Sequence, residues 1–432
     1  MCMVSYQPED PQLPTPVSPH RSQPTLHLNN MVRPGIHGAS ALIDAFSRLG
    51  NHGGTRAQIE NYELLVVNEL ARVNNAYYSL TDGIVNRPDP VVLFNQVEIR
   101  TELLEQLQSK RFPSLRRHVI ALSNALISRT DPQNDPVSKL KLILKILTKL
   151  DVTLDKIKFA IACINPGIDP QEVRHDQDFN KARQVICCRL DLITNLVTGH
   201  VCDLLHSSRH FMEDSGYTFA VDHPHKRAEV RELTDTCLDS IDRALDFMNK
   251  SELDFIQDAW RVLIESINDA LKKFTKFINR PYPAPLSDQP RTKSSVIAVI
   301  KLARMFFAKL LQMSTDKRNF KMATHLNSRE LDIFAGMNNL LSAKIEKLVD
   351  GLGRGDNGAD QFENFLTVQG SIAHLQNAPK TILFMIDHFF IPVAPQADQP
   401  SHKMYYKGWF YQFNSAYRLA TDDLQEAYML TM

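Results

Sequence analysis

The chain has 432 residues and a mass of 49.2 kDa, enough for about two to three domains of ~100 to 200 residues each. Lys and Arg together number 49, as do Asp and Glu, so no global excess of positive charge favours nucleic acid. The six cysteines show no CxxC spacing, which argues against a disulfide scaffold or a zinc module. We therefore predict a globular protein with reduced thiols and no nucleic-acid partner.

The prediction for localisation rests on the N-terminal sequence and on the distribution of apolar residues. The N-terminal sequence lacks the basic start and apolar stretch of a secretory signal. No run of about 18 uninterrupted apolar residues occurs in the sequence. We expect a protein of the cytoplasm or the nucleus, without stable insertion into a membrane.

Residues 1–37 are predicted to form a disordered, proline-rich tail. Seven of the 23 prolines lie between Pro8 and Pro34, a density typical of segments that do not fold by themselves. The dipeptides that begin at Thr15 and Ser18 precede proline and fit the targets of proline-directed kinases. The tail is interpreted either as a regulatory segment or as a disordered lead-in to the first helix.

Beyond the tail, prolines mark the ends of helices, because proline removes a backbone donor and clashes inside a helix. Between them, apolar residues recur every three or four positions, the period of a helix with one buried face. One such stripe follows Ser251, a predicted N-cap, and comprises Leu253, Ile256, Trp260, Leu263, Ile267, Leu271, Phe274 and Phe277. The pattern predicts helices near residues 40–49, 55–82, 90–109, 113–129, 136–164, 176–213, 225–249, 251–279, 293–313, 325–350, 360–388 and 402–429.

The predicted fold class is all-α, with long amphipathic helices packed as up-and-down bundles. Long helices joined by short turns usually pack antiparallel, and alternating β-branched runs are scarce in this sequence. The segment GYTFAVDHP at residues 216–224 is the predicted division between two bundles. The N-terminal bundle then covers residues 38–215, and the C-terminal bundle covers residues 222–430.

Three residues form a candidate metal site. Cys202, His206 and His210 are spaced four apart, so they share one helix face, and ligands at that spacing can bind one zinc ion. The segment lacks the glutamate of a metalloprotease motif and lies near a predicted helix end, where histidine is favoured by the helix dipole. The favoured interpretation is that no metal and no cofactor binds there.

A basic stripe is a candidate interaction surface. Lys141, Lys145 and Lys149 recur every four residues among leucine and isoleucine. Such a helix can lie on an anionic membrane or enter an apolar groove of a partner. The alternative is a bundle helix that is mostly buried and keeps its lysines in water.

A second candidate interaction surface is the aromatic run near the C-terminus, which includes Tyr405, Trp409 and Phe413. The rings occupy nearly every face of about two helical turns. Some must therefore be exposed and available to a partner, unless another element covers them. The alternative is a terminal helix that docks as a central strut of the bundle.

The sequence leans towards a protein without catalytic activity. The glycines that begin at Gly353 match GxGxxG but follow a predicted helix rather than a strand, and the acidic group at Asp422, Asp423 and Glu426 fits a charged helix turn. The leading hypothesis is a non-enzymatic helical scaffold or adaptor that binds protein partners through its bundle surfaces. The alternatives are a membrane-surface or lipid-associated helical protein, and a metal-dependent enzyme with a site around Cys202, His206 and His210. Partner identity and oligomeric state are left open.

Overall fold

The computed structural model describes residues 56–77, 89–127, 136–215, 223–280, 290–315, 320–322, 326–353, 361–392 and 402–430. Its helices are α1 (Arg56–Tyr77), α2 (Pro90–Asn95), α3 (Val97–Gln106), α4 (Phe112–Ile127), α5 (Pro136–Ile164), α6 (Gln184–Ser215), α7 (Pro224–Asn249), α8 (Glu252–Ile278), α9 (Pro290–Thr315), α10 (Ser328–Gly353), α11 (Gln361–Phe389) and α12 (His402–Met429). The predicted all-α fold of long, mutually packed helices is confirmed.

Shorter elements join the helices. A π-helical turn, Leu107–Arg111, continues α3 into α4, and two 3-10 turns, Pro170–Glu172 and Asn180–Ala182, precede α6. Two three-residue strands, β1 (Phe320–Met322) and β2 (Phe390–Pro392), pair antiparallel with Lys321 opposite Ile391. These strands tie the segment after α9 to the end of α11.

The long helices pack in two sets. In the first set, α1 packs on α5 and α6, α4 packs on α5 and α7, and α6 packs on α7. In the second set, α8 packs on α9 and α10, α12 packs on α9 and α11, and α10 packs on α11. Within each set, these helix pairs close a cycle around an apolar interior. The two sets meet where α6 contacts α10.

Helix α8 shows how the sequence produces this packing. Ser251 and Asp254 form a capping box, in which each side chain accepts a hydrogen bond from the other residue's backbone N–H. On the predicted stripe, Trp260 and Phe274 are fully buried in the core of the second set. The Trp260 Nε1 donates a hydrogen bond to Asn338 Oδ1 of α10 at 3.3 Å. The predicted cap and buried face of this helix are confirmed.

The structure corrects the predicted start of the helix at residues 176–213. Helix α6 begins at Gln184, because Asn180 has a positive φ of 49° and Arg183 is extended. Asp176 lies before this break, and its Oδ2 accepts a hydrogen bond from the Gln184 backbone N–H at 2.9 Å. Asp176 therefore caps α6 from outside the helix.

The predicted helix at residues 90–109 is also interrupted. Gln96 leaves helical geometry, with φ −90° and ψ 67°, so that α2 and α3 are separate helices. Asp89 caps α2 as its position before Pro90 implies, since its side chain accepts from the Val91 backbone N–H at 2.8 Å. The helix predicted at residues 40–49 lies outside the described residues.

The predicted domain division stays a prediction, because the tail and residues 216–222 lie outside the described residues. Helix α7, which follows this division in the chain, packs with the helices that precede it. The change from one packing set to the other comes at the turn between α7 and α8.

Helix α6 is long and apolar enough over Gln184–Asp214 to cross a membrane, judged by length and composition alone. Half of its most apolar window is buried inside the fold. Core helices of soluble proteins have the same combination of length and composition, so this helix is weak evidence for a membrane span.

Candidate binding site

A cavity of about 390 Å³ opens beside the turn that joins α7 to α8. Its walls come from α3, the π-helical turn, the 3-10 turn Asn180–Ala182, α6 and the two helices of the turn. The apolar lining residues are Leu104, Ile186, Leu190, Phe247, Met248, Leu253 and Phe255. Volume and lining both fall in the range of small-ligand pockets, which are ~300 to 1,000 Å³ and mostly apolar.

The short turn between the helices creates this cavity. Lys250 and Ser251 are both extended, so that α7 ends and α8 begins within two residues. The chain reversal brings Phe247 and Phe255 together, with ring centroids 4.4 Å apart. On the opposite wall, Gln108 of the π-helical turn donates a hydrogen bond to Asn249 at 2.5 Å. π-Helical turns widen a helix locally and are frequent at functional sites.

The ionisable groups among the described lining residues of this cavity are two lysines. Lys181 donates a hydrogen bond to the Met248 carbonyl oxygen at 2.8 Å. Lys250 forms ion pairs with Asp246 and Asp258 at 2.5 and 3.0 Å. Hydrogen bonds to these carboxylates, with Asp246 contributing most, raise the pKa of the Lys250 ammonium group. The Lys250 charge is thus compensated, whereas Lys181 contacts an uncharged carbonyl.

A second cavity of about 160 Å³ adjoins the first, because Ile186 and Phe255 line both. Arg189 lies on its wall, and burial lowers the pKa of this guanidinium while Asp332 partly offsets the effect. Within the described part of the chain, Arg189 makes no hydrogen bond and no ion pair within 4 Å. The two cavities therefore combine an apolar volume with a partly desolvated cation that feels the charge of Asp332 but forms no direct ion pair with it.

The three candidate metal ligands do not converge. Cys202 is buried, and its Sγ lies 3.7 Å from the Asn74 carbonyl oxygen of α1. Burial raises the pKa of this thiol to about 11, with a smaller contribution from Asp203. His206 and His210 are exposed and face each other, with their Nε2 atoms 3.2 Å apart. Among the described residues, no group of three His, Cys, Asp or Glu side chains is placed to hold a metal ion.

The basic stripe lies on a mostly buried helix. Lys145 and Lys149 are exposed on α5, while Lys141 is partly buried, with its Nζ 5.4 Å from the centre of the Tyr62 ring. Of the apolar residues between Leu140 and Leu150, Leu142 is exposed, at 48%, and the others are buried. This arrangement resembles the bundle-helix alternative, and membrane contact stays a prediction.

The aromatic run lies largely in the core. Phe413 is buried and stacks on Phe306 of α9, with ring centroids 5.3 Å apart. Trp409 is partly buried and stacks on Phe413, and the centre of its ring lies 5.5 Å from Lys309 Nζ. Tyr411 is 77% exposed, whereas the prediction for Tyr405 falls on a side chain outside the described part of the structure. Helix α12 thus packs through this run.

The acidic group on α12 takes a structural role. Asp422 accepts a hydrogen bond from Gln376 at 3.1 Å, and Glu426 pairs with Arg291 at 2.7 Å. The acidic group therefore ties α12 to α11 and α9. The glycine motif that begins at Gly353 continues into residues 354–360, which lie outside the described residues.

Sequence reasoning did not find the cavity. Its walls come from residues far apart in the chain, such as Leu104, Ile186 and Phe255. One local signal was present, since Phe247 and Phe255 flank a two-residue helix connection. Arg189 gave no signal, because a lone arginine beside an apolar stripe is ordinary on a helix.

Two family models match adjacent parts of the chain. Residues 100–249 match DUF8723 and residues 251–426 match DUF8721, each described as a domain of unknown function. The boundary between the two matches falls at the turn that forms the cavity. Comparisons with curated proteins and with solved structures found no match.

Proposed function

We propose that this protein is a non-enzymatic helical adaptor that binds a partner protein through the two adjoining cavities. The partner segment would carry a bulky apolar side chain beside a carboxylate. Arg189 carries this proposal, because it is a partly buried cation beside an apolar volume and forms no hydrogen bond or direct ion pair with the described residues, although Asp332 is near enough to act on its charge.

The energetics favour such a segment. Burial of one large apolar side chain contributes about 1.5 to 3 kcal/mol. A carboxylate pairs with a guanidinium through two parallel hydrogen bonds, which are stronger when the site is partly desolvated. An apolar anchor seated in a pocket and flanked by a charge contact is typical of the few residues that dominate protein interfaces.

Peptide display against the purified full-length protein tests the proposal. We expect the selected peptides to share Phe, Leu or Trp within a few residues of Asp or Glu. Synthetic versions would then be measured by fluorescence anisotropy. Selection of peptides without an acidic residue, or binding of small apolar acids in place of any peptide, would contradict it.

Two variants test whether the peptide binds in the cavities. Arg189→Gln removes the charge, and we expect about tenfold weaker binding or more, which corresponds to the roughly 1.5 to 3 kcal/mol of a charged hydrogen bond. Leu253→Trp fills the larger cavity from its rim and should abolish binding. Arg304→Gln, an exposed arginine on α9, is the matched control and should leave the affinity unchanged. Equal affinities for Arg189→Gln and the control would overturn the proposal.

A further inference from the structure

The exposed pair His206 and His210 forms an arrangement that the cavities do not involve. The residues lie on successive turns of α6, with ring centroids 4.5 Å apart and ring planes at 85°. Their Nε2 atoms are 3.2 Å apart. Two ring nitrogens at this distance either share an N–H···N hydrogen bond or bind one metal ion between them.

The distance fits a metal ion. Zinc binds histidine nitrogen at ~2.0 to 2.1 Å, so two ligands at a tetrahedral angle lie about 3.3 Å apart. Imidazole suits Zn²⁺, Cu²⁺ and Ni²⁺ as a ligand. The observed separation would therefore require little rearrangement of either ring.

Glu213 orients one of the rings. Its Oε2 lies 3.1 Å from His210 Nδ1, and its Oε1 accepts a hydrogen bond from Arg209 Nε at 2.8 Å. A proton on His210 Nδ1 leaves the Nε2 lone pair directed at His206. Metal-binding histidines commonly donate their other N–H to a carboxylate, which fixes the ring and strengthens the ligand.

We propose that His206 and His210 chelate a divalent transition-metal ion of the zinc, nickel and copper class through their Nε2 atoms, with Glu213 as the positioning residue. Cys202 takes no part, because its thiol is buried against α1. Water fills the remaining coordination positions, since the described residues offer no third protein ligand. These open positions allow a partner's side chain to complete the site.

Isothermal titration calorimetry with Zn²⁺ and with Ni²⁺ on untagged full-length protein tests the proposal. We expect one site to be lost in His206→Ala and in His210→Ala. Glu213→Gln should retain the site with roughly tenfold weaker affinity. Circular dichroism of each variant would verify that the fold is retained.

The matched control is His374→Ala. His374 is exposed on α11, and its Nδ1 lies 2.7 Å from the Gly370 carbonyl oxygen. This variant should bind the metal as the unmodified protein does. Absence of binding to the unmodified protein, or unchanged stoichiometry and affinity in both histidine variants, would overturn the proposal.

Discussion

The Ser328 hydroxyl donates a hydrogen bond to Asp176 Oδ2 across 2.5 Å, although the two residues are 152 positions apart. The Ser328 backbone N–H also donates to Asp176 Oδ1 at 2.8 Å, and the Ser328 Oγ accepts from the Val185 backbone N–H at 2.9 Å. One fully buried carboxylate thus caps both α6 and α10. The hydrogen bonds of Asp176 therefore link α6 of the first packing set to α10 of the second.

Replacement of Asp176 by Asn should destabilise the protein by about 3 kcal/mol, because buried N–H donors lose a charged acceptor. Urea unfolding followed by circular dichroism measures the change. The control is Asp169→Asn on the same connection, where an exposed side chain caps only the turn at Pro170, and little loss is expected, because asparagine caps about as well as aspartate. Similar losses for the two variants would show that Asp176 contributes no more to the free energy of unfolding than an exposed cap does.

The stability should fall as the pH is lowered from 7.5 to 5.5. Burial, then the charges of Lys149 and Arg117, lower the pKa of His118 below its ordinary 6.5. Below pH 6.5 the unfolded chain binds a proton at this position while the folded chain does not. The contribution of His118 to the free energy of unfolding is therefore fully present above pH 6.5. It decreases as the pH falls from 6.5 to the pKa that His118 has in the folded state.

Lys149→Gln should reduce this loss, since it removes one of the charges that oppose protonation of His118. Lys145→Gln, an exposed lysine one turn earlier on α5, is the control. Denaturant unfolding at each pH and an NMR titration of the His118 ring measure both effects. A measured His118 pKa at or above 6.5 in the unmodified protein would contradict the prediction.

Two glycines of α10 should respond in opposite directions to alanine. A Cβ on Gly351 would lie 2.6 Å from Val368 Cγ2, a stiff and buried side chain, whereas a Cβ on Gly336 meets no atom within 4 Å. Gly351→Ala should cost about 1 to 3 kcal/mol through overpacking. Gly336→Ala should stabilise by up to about 1 kcal/mol, because alanine favours the helix. Thermal and urea unfolding would compare the two, and stabilisation by both would show that α10 and α11 pack less tightly than described.

Several thiols should be unreactive in the folded protein. Burial raises the pKa of Cys187, Cys188 and Cys202 to about 11, and that of Cys237 to about 12. Because the thiolate is the nucleophile, a rise from 9 to about 11 lowers the reactive fraction about a hundredfold. Iodoacetamide labelling at pH 8, read by peptide mass spectrometry, should be slow for these four in native buffer and fast in denaturant. Rapid native labelling of any of them would indicate an accessible thiolate.

The sequence alone determined the helices and their buried faces, because both follow from local spacing and capping. The stripe that contains Trp260 and Phe274 and the cap at Ser251 could be identified in this way. The start of α6 could not, because it depends on Asp176, which precedes the helix and also binds Ser328 on another element.

Only the tertiary structure decided the candidate sites. Cys202 and His206 are four residues apart, but α1 covers the first and solvent surrounds the second. Likewise, Arg189 is a candidate binding residue only because it lines a cavity whose walls come from helices far apart in the chain. Helical periodicity defines the residues that share a face, whereas the packing of other helices determines which part of that face is buried, open or lined by charge.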